Sequence, residues 1–338
     1  MGDRTDIQWT DMTWNPTRGC SPVSAGCANC YAEKVAAAAS GPGQPYAGLT
    51  TDGRWNGVVR LVPEHLGDPL RLRRPRRIFV DSMSDLFHES LSDDEIAAVF
   101  GVMAAASWHT FQVLTKRPER MRAFLTQAAT HQSLRERCFY AARDALGEAA
   151  LTGKDPWQTT FPAPHIHLGV SVEDQPSAER RIPHLLRTPA AVRFISAEPL
   201  LGPIDLDDLV VDRRPGSEQH FDALTCDVDA EDDGPYGGAA LDWVVVGGES
   251  GPGARPCDLA WIRGIVRQCG AAGVAAFVKQ LGADPITEPG PVSWPCSDRK
   301  GGDPSEWPAD LADPRLRAFP KKRPQAARKQ RQQPRSDP

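Results

Sequence analysis

Apolar runs rich in β-branched residues recur along the chain: RIFVDSMSD (77–85), TFQVLTKR (110–117), HIHLGVSVE (165–173), AVRFISAE (191–198), LDWVVVGGES (241–250) and VAAFVKQ (274–280). A shorter run, MTWN (12–15), precedes them. Each longer run closes on polar residues, and most lead into helical spacing. Continuous apolar runs, rather than strict alternation, mark strands covered on both faces, so this rhythm predicts a parallel sheet wrapped by helices. Several helices carry end signals. Ser92 with Glu95 forms a capping box before SDDEIAAVFGVMAAAS, Pro118 opens PERMRAFLTQAAT, and Asp258 caps a helix that stops at Gly270 or Gly273. About seven β units predict an α/β chain folded as a complete or partial β/α barrel of TIM type.

Three stretches break the rhythm. Residues 40–76, with the basic RLRRPRR, read as a long excursion between the first two strands, and residues 205–240, with DAEDDGPYGG, as an acidic, disordered surface insertion. Residues 284–320 read as an irregular C-terminal extension of a barrel domain spanning 1–283, and 321–338 as a basic disordered tail.

Charge is uneven. The tail holds seven Lys or Arg against one Asp, whereas 32 basic and 43 acidic residues precede it. The tail therefore reads either as a solvated end or as a contact to nucleic acid phosphates. MGDRTDIQW lacks a basic segment leading into an apolar one, and no run of about 18 uncharged apolar residues occurs, which predicts a cytoplasmic chain without a membrane span. In a reducing compartment eight cysteines are buried thiols or metal ligands rather than a disulfide framework.

Candidate chemistry gathers behind the strands. Asp81, Ser82, Ser84 and Asp85 follow the second, Thr115, Lys116 and Arg117 the third, Ser171 and Glu173 the fourth, and Ser196 and Glu198 the fifth. Gly247, Gly248, Glu249 and Ser250 follow the sixth, and Lys279 and Gln280 the last. Parallel β/α folds bring such strand ends to one rim. Behind the first strand, TRGCSPVSAGCANCYAE places Cys20, Cys27 and Cys30 in eleven positions. Three thiolates suit either an iron–sulfur cluster with one iron left open or a zinc site completed by Cys257, Cys296 or a histidine. Cys138, Cys226, Cys257 and Cys269 otherwise read as small buried residues, and His88 as structural or as a proton donor.

The three-cysteine loop behind the first strand of a β/α barrel resembles the radical S-adenosylmethionine (SAM) superfamily. More closely, WNPTRGCSPVSAGCANCYAE, FVDSMSDLFHE, LTKRPERM, LGVSVEDQ, RFISAEPLLGPI and DWVVVGGESGPGARP together resemble the phage gene product thirty-seven/sixty-eight family, over about residues 5–320. That is a radical-SAM-like family of undetermined function, often found beside a three-Cys-motif partner protein. The resemblance implies a [4Fe-4S] cluster on Cys20, Cys27 and Cys30, SAM on the open iron, and an electron donor. Two features depart from the superfamily: the first cysteine gap is six residues instead of three, with Asn29 where an aromatic is usual, and the Gly-Gly-Glu triplet follows a late strand.

Two readings result. In one the chain is an enzyme that cleaves SAM reductively for radical chemistry. Asp81, Ser82, Asp85, Ser171, Glu173, Ser196, Glu198 and Gly247 to Glu249 are then candidate SAM contacts. Lys116, Arg117 and Lys279 are candidates to hold an anionic nucleotide or nucleic acid substrate, salt bridges to the rim acids being the alternative for the same cations. Tyr31 would shield the cluster or pack as a helix residue. In the other reading the cysteines form a zinc knot in a nucleic-acid-binding or partner-binding module without catalysis.

Overall fold

The computed structural model describes residues 5–130, 132–151, 162–214, 217–225, 239–287 and 292–320. The basic tail, Cys226 and the acidic DAEDDGPYGG lie outside them.

Seven strands form the central sheet: β1 (Met12–Trp14), β2 (Arg77–Val80), β3 (Thr110–Thr115), β4 (Ile166–Ser171), β5 (Val192–Ala197), β6 (Trp243–Gly247) and β7 (Ala275–Gln280). All six neighbouring pairs are parallel and follow chain order, and the sheet curls into a half-barrel. Every strand expected from the apolar runs is present.

Helix α1 (Tyr31–Ala38) lies between β1 and β2, and α2 (Asp93–Ala105) between β2 and β3. The β3–β4 crossover holds α3 (Pro118–Thr130) and α4 (Gln132–Leu146). Helix α5 (Gln175–Leu186) joins β4 to β5, and α6 (Leu259–Ala272) joins β6 to β7. Ser92 and Glu95 make the expected reciprocal capping box on α2. Asp258 accepts the Ala260 amide at 2.8 Å, and Gly273, at a φ of 67°, ends α6 in the left-handed turn that glycine tolerates best.

The two faces of the sheet bury different side chains. Outward residues, among them Trp14, Ile78, Phe111, Leu168, Ile195, Val244 and Val278, join the helices in the main core. Inward residues Phe79, Phe194, Trp243, Val245 and Phe277 close on Trp9 and form a separate aromatic floor. Trp9 lies 4.7 Å from the Phe79 ring and 5.9 Å from Trp243. Gly169 is needed beneath it, since a Cβ there would stand 2.5 Å from the Phe194 ring. The concave side is thus filled at the strands' N-terminal end, and the polar strand ends are left to line whatever space remains at the other.

Two stretches are more ordered than expected. Within 205–240 a hairpin pairs Leu209–Arg214 with Ser217–Phe221, and Leu206, Leu209, Phe221, Ala223 and Leu224 are buried. Acidic composition masked these spaced apolar residues, which join the main core. In the C-terminal extension, Pro285–Thr287 pairs with both Cys257–Asp258 and Val292–Ser293. Further on, the Ala318 amide donates to the Ala276 carbonyl at 3.2 Å and Phe319 stacks on Trp243 and Phe277, so the chain covers the exposed edge of β7. No described helix is long and apolar enough to cross a membrane.

Candidate functional site

The cysteine loop leaves β1 over the ends of the other strands, and residues after β2, β3, β4 and β6 hold it. From β2, Asp81 accepts the Thr17 amide at 3.1 Å and the Ser84 hydroxyl donates to the Gly19 carbonyl at 2.7 Å. A Cβ on Gly19, itself at a φ of 100°, would lie 2.0 Å from the Val58 carbonyl oxygen, so only glycine fits. A single 3₁₀ turn then lifts Ala25–Cys27, and Cys30 opens α1, its carbonyl accepting the Lys34 amide.

From β3, Arg117 reaches the Ser21 carbonyl and hydroxyl at 3.2 and 2.7 Å while pairing with Asp85 and Glu89. Asp85 is saturated, accepting from the Thr115 hydroxyl, the Phe87 and Lys116 amides and Arg117. His88 is buried, its Nε2 2.8 Å from the Ser21 hydroxyl and its Nδ1 accepting the Ser90 amide, which assigns the proton to Nε2. Burial and Arg117 lower its basicity, so the imidazole is a neutral brace.

From β4, Glu173 forms the strongest anchor. Its carboxylate takes the Ser24 hydroxyl at 2.9 Å, Lys116 at 2.6 Å and the buried Arg181 of α5 at 3.0 Å. A Cβ on Gly26 would stand 2.5 Å from its Oε1, so the loop rests directly on this acid. Burial opposes ionisation of Glu173, yet Lys116 and Arg181 outweigh it and hold the carboxyl at about 2.

From β6, Glu249 accepts Asn29 Nδ2 at 2.9 Å and Arg255 through its backbone amide and guanidinium, and Arg255 also reaches the Ala25 carbonyl at 2.9 Å. These hydrogen bonds overcome burial and set the Glu249 carboxyl at about 2. Gly248 packs where a Cβ would meet the Leu281 carbonyl oxygen at 2.2 Å. In this chain the Gly-Gly-Glu triplet therefore packs against one loop and clasps another.

Beneath the loop lies a cleft of about 270 Å³. Cys20, Cys27, Cys30 and Tyr31 line it together with Ser171, Ser196, Glu198, Lys279 and Gln280. Lys279 and Glu198 are 2.8 Å apart, and the Ser196 hydroxyl donates to Glu198 at 2.9 Å. Gly247 keeps room for this pair, since its Cβ would fall 3.2 Å from Glu198 Oε1. Ser82 is tied to Asn15 at 3.1 Å. Asp81 is buried at a φ of 57°, and its Oδ2 makes no hydrogen bond. Burial, only partly offset by the Thr17 amide, pushes its carboxyl up to about 8.

Cys20 lies within electrostatic reach of the other two cysteines of the loop. Burial, then Asp85, and in smaller measure Cys27 and Cys30, push Cys20 up to about 12 against the opposing pull of Arg117. The three thiols do not crowd one point: among the described residues, no three His, Cys, Asp or Glu side chains stand where they could hold a single ion. Cys257 and Cys269 are fully buried in the main core, and Cys138 and Cys296 pack against it, whereas Cys20 and Cys30 flank a different cluster under α1.

The rim thus contains every candidate read from the sequence, but sorts them. Asp85, Glu173, Glu249 and Arg117 brace the loop, Lys116 and Lys279 are both in ion pairs, and Ser171, Ser196, Glu198 and Lys279 face the cleft. Tyr31 does not pack as a helix residue: its ring is half exposed at the cleft and its hydroxyl donates to the Ser82 carbonyl at 2.6 Å. Sequence reading passed over Arg181, Arg255 and Gly26, and noted Asn29 only as a departure from the superfamily's aromatic. Arg181 was visible as a charge inside the apolar stripe of α5 (Ala178, Ile182, Leu185), the usual mark of a buried ion pair.

Comparison with curated proteins and with solved structures gives no match. A family model does match, over residues 4–330. The chain belongs to that family, described as Protein of unknown function (DUF5131).

Proposed function

We propose that the protein is an iron–sulfur enzyme of radical SAM type, with Cys20, Cys27 and Cys30 holding a [4Fe-4S] cluster and SAM entering from the cleft. The observation that carries this reading is the shared cleft, lined by the three cysteines of the loop together with polar strand ends. A closed zinc tetrahedron needs four ligands around one point, about 2.0 to 2.3 Å from the metal. Cys257 and Cys296 sit with a different core, and the three thiols are not gathered for one ion. A four-iron cluster of this type needs three thiolates, the number the loop supplies.

When bound, cluster and SAM would supply an electron and a carbon radical able to abstract hydrogen. The chain's own residues do the rest. Cys20 keeps its proton at neutral pH until a cation replaces it, so metal binding releases a proton there. Glu198 and Lys279 present a carboxylate and an ammonium side by side, a match for the oppositely charged ends of an amino acid moiety. The aromatic floor closes the cleft from below. Because Lys116, Arg117 and Lys279 are all matched to acids, this rim gives less support to an anionic substrate than the sequence suggested.

Anaerobic incubation with iron and sulfide tests the proposal. Expected are about four irons and four sulfides per chain with a brown absorption band. Cys20→Ala, Cys27→Ala and Cys30→Ala each lose most of it, and Cys257→Ala keeps it. A colourless protein carrying one zinc per chain overturns the reading.

A further inference from the structure

A tryptophan inside a protein usually gives its indole N–H to an acceptor. Trp14, Trp108, Trp243, Trp294 and Trp307 do so, each donating to a main-chain carbonyl at 2.8 or 2.9 Å. Trp9 and Trp55 are buried as well, yet Nε1 of each meets no acceptor among the described residues. These two are the tryptophans that line the cleft. An N–H buried without an acceptor is unfavourable unless a ligand takes it, so the exception falls where a ligand would bind.

Trp55 differs from Trp9 in its neighbours. Trp9 stands among the rings of the aromatic floor. Trp55 ends a short hairpin, Thr50–Thr51 paired with Arg54–Trp55, that is tied to the cysteine segment. The Trp55 amide donates to Glu33 at 2.9 Å, and Arg54 donates to the same carboxylate at 2.8 Å and to the Ala28 carbonyl at 3.3 Å. Ala28 and Glu33 flank Cys30 in the chain, and Trp55 belongs to the apolar cluster against which Cys20 and Cys30 pack. Of the three cysteines, Cys20 has the Ser21 carbonyl at 3.6 Å and Cys27 the Ser24 hydroxyl at 4.0 Å, while no side-chain hydrogen bond reaches Cys30 among the described residues. A thiol is a weak acceptor, whereas a metal-bound thiolate carries charge and accepts an N–H well.

We propose that Trp55 is a positioning residue for the iron–sulfur cluster, its indole N–H donating to the Cys30 sulfur and raising the cluster's reduction potential. This rests on the cluster reading above. A hydrogen bond to a ligating sulfur favours the more negative, reduced form, so losing it makes reduction harder. The excursion at 40–76 thereby contributes to the site.

The test is the midpoint potential of the anaerobically reconstituted protein, followed by electron paramagnetic resonance without SAM. It compares the parent, Trp55→Phe, and a protein with benzothienylalanine in place of Trp55, which keeps the ring size and replaces the N–H by sulfur. Both replacements retain the parent's iron and sulfide. Both shift the reduction equilibrium about three- to tenfold toward the oxidised form, tenfold being about 59 mV for one electron. One exchangeable-proton coupling in the parent's electron–nuclear double resonance spectrum disappears in both. Trp294→Phe, whose parent indole serves the Glu306 carbonyl, keeps the parent's potential. A parent cluster whose potential neither replacement moves overturns the assignment alone, as does a shift in Trp55→Phe that the benzothienyl ring restores. A parent that assembles no cluster overturns the cluster reading and the assignment together.

Discussion

Glu173 and Glu198 follow neighbouring strands and each meets a lysine at close range, Lys116 at 2.6 Å and Lys279 at 2.8 Å. Their surroundings separate them. Glu173 also holds Arg181 and Ser24, is 1% exposed, and carries the cysteine loop on its oxygen. Among the described residues Glu198 has a hydrogen bond from Ser196 besides its lysine, and it borders the cleft. An acid–lysine pair at a strand end is scaffolding where further partners fill the acid's acceptor positions, and is available to a ligand where they do not.

Removing each acid should break the pair apart most visibly. Glu173→Ala leaves Lys116 and the buried Arg181 without a counter-charge, and Arg181 already has Nε and one terminal nitrogen without hydrogen bonds. Its expected cost is about 3 to 5 kcal/mol in chemical denaturation. Glu198→Ala should cost no more than about 1 kcal/mol, its pair being partly open to solvent, while lowering affinity for the cleft's ligand in calorimetry. Equal losses of stability would erase the distinction.

Gly26→Ala probes the same contact from the loop side. A methyl at 2.5 Å from Glu173 forces the loop upward, with about 1 to 3 kcal/mol lost and poorer iron retention. The same change at Gly253, where a Cβ meets nothing within 4 Å, should leave iron retention intact despite its positive φ.

A smaller effect separates the acids by pH. Glu173 and Glu249, held near 2 against an ordinary 4.5, stabilise the fold above pH 4.5 and lose that contribution as pH falls toward 2. Asp81 runs the other way. Held at about 8 against an ordinary 3.8, it favours the fold fully below pH 3.8 and loses that advantage as pH rises to 8. Asp81→Asn keeps an acceptor for the Thr17 amide and cannot ionise, so its thermal midpoint should gain on the parent's through this range and level off above pH 8. Midpoints that stay parallel from pH 4 to 9 contradict the protonated Asp81.

The sheet was legible because each strand is a continuous apolar run with a polar end, and the cysteine loop because its spacing is local. The bracing was not. Asn29 with Glu249, Ser24 with Glu173 and Arg77 with Phe319 join residues 149 to 242 positions apart, and no periodicity records which acid meets which cation. The β5–β6 hairpin was hidden for another reason: its buried residues are few and sit among acids, so composition outvoted pattern. Tyr31 was misjudged because a helix's first turn can face a cleft as readily as a core.

The most direct test of the account is the electron paramagnetic resonance spectrum of the anaerobically reconstituted, dithionite-reduced protein, recorded before and after SAM is added. The account predicts a reduced [4Fe-4S] signal whose line shape changes with SAM, with the change weakened in Glu198→Ala. A signal that SAM leaves untouched, or a protein that binds zinc and gives no signal, would contradict it.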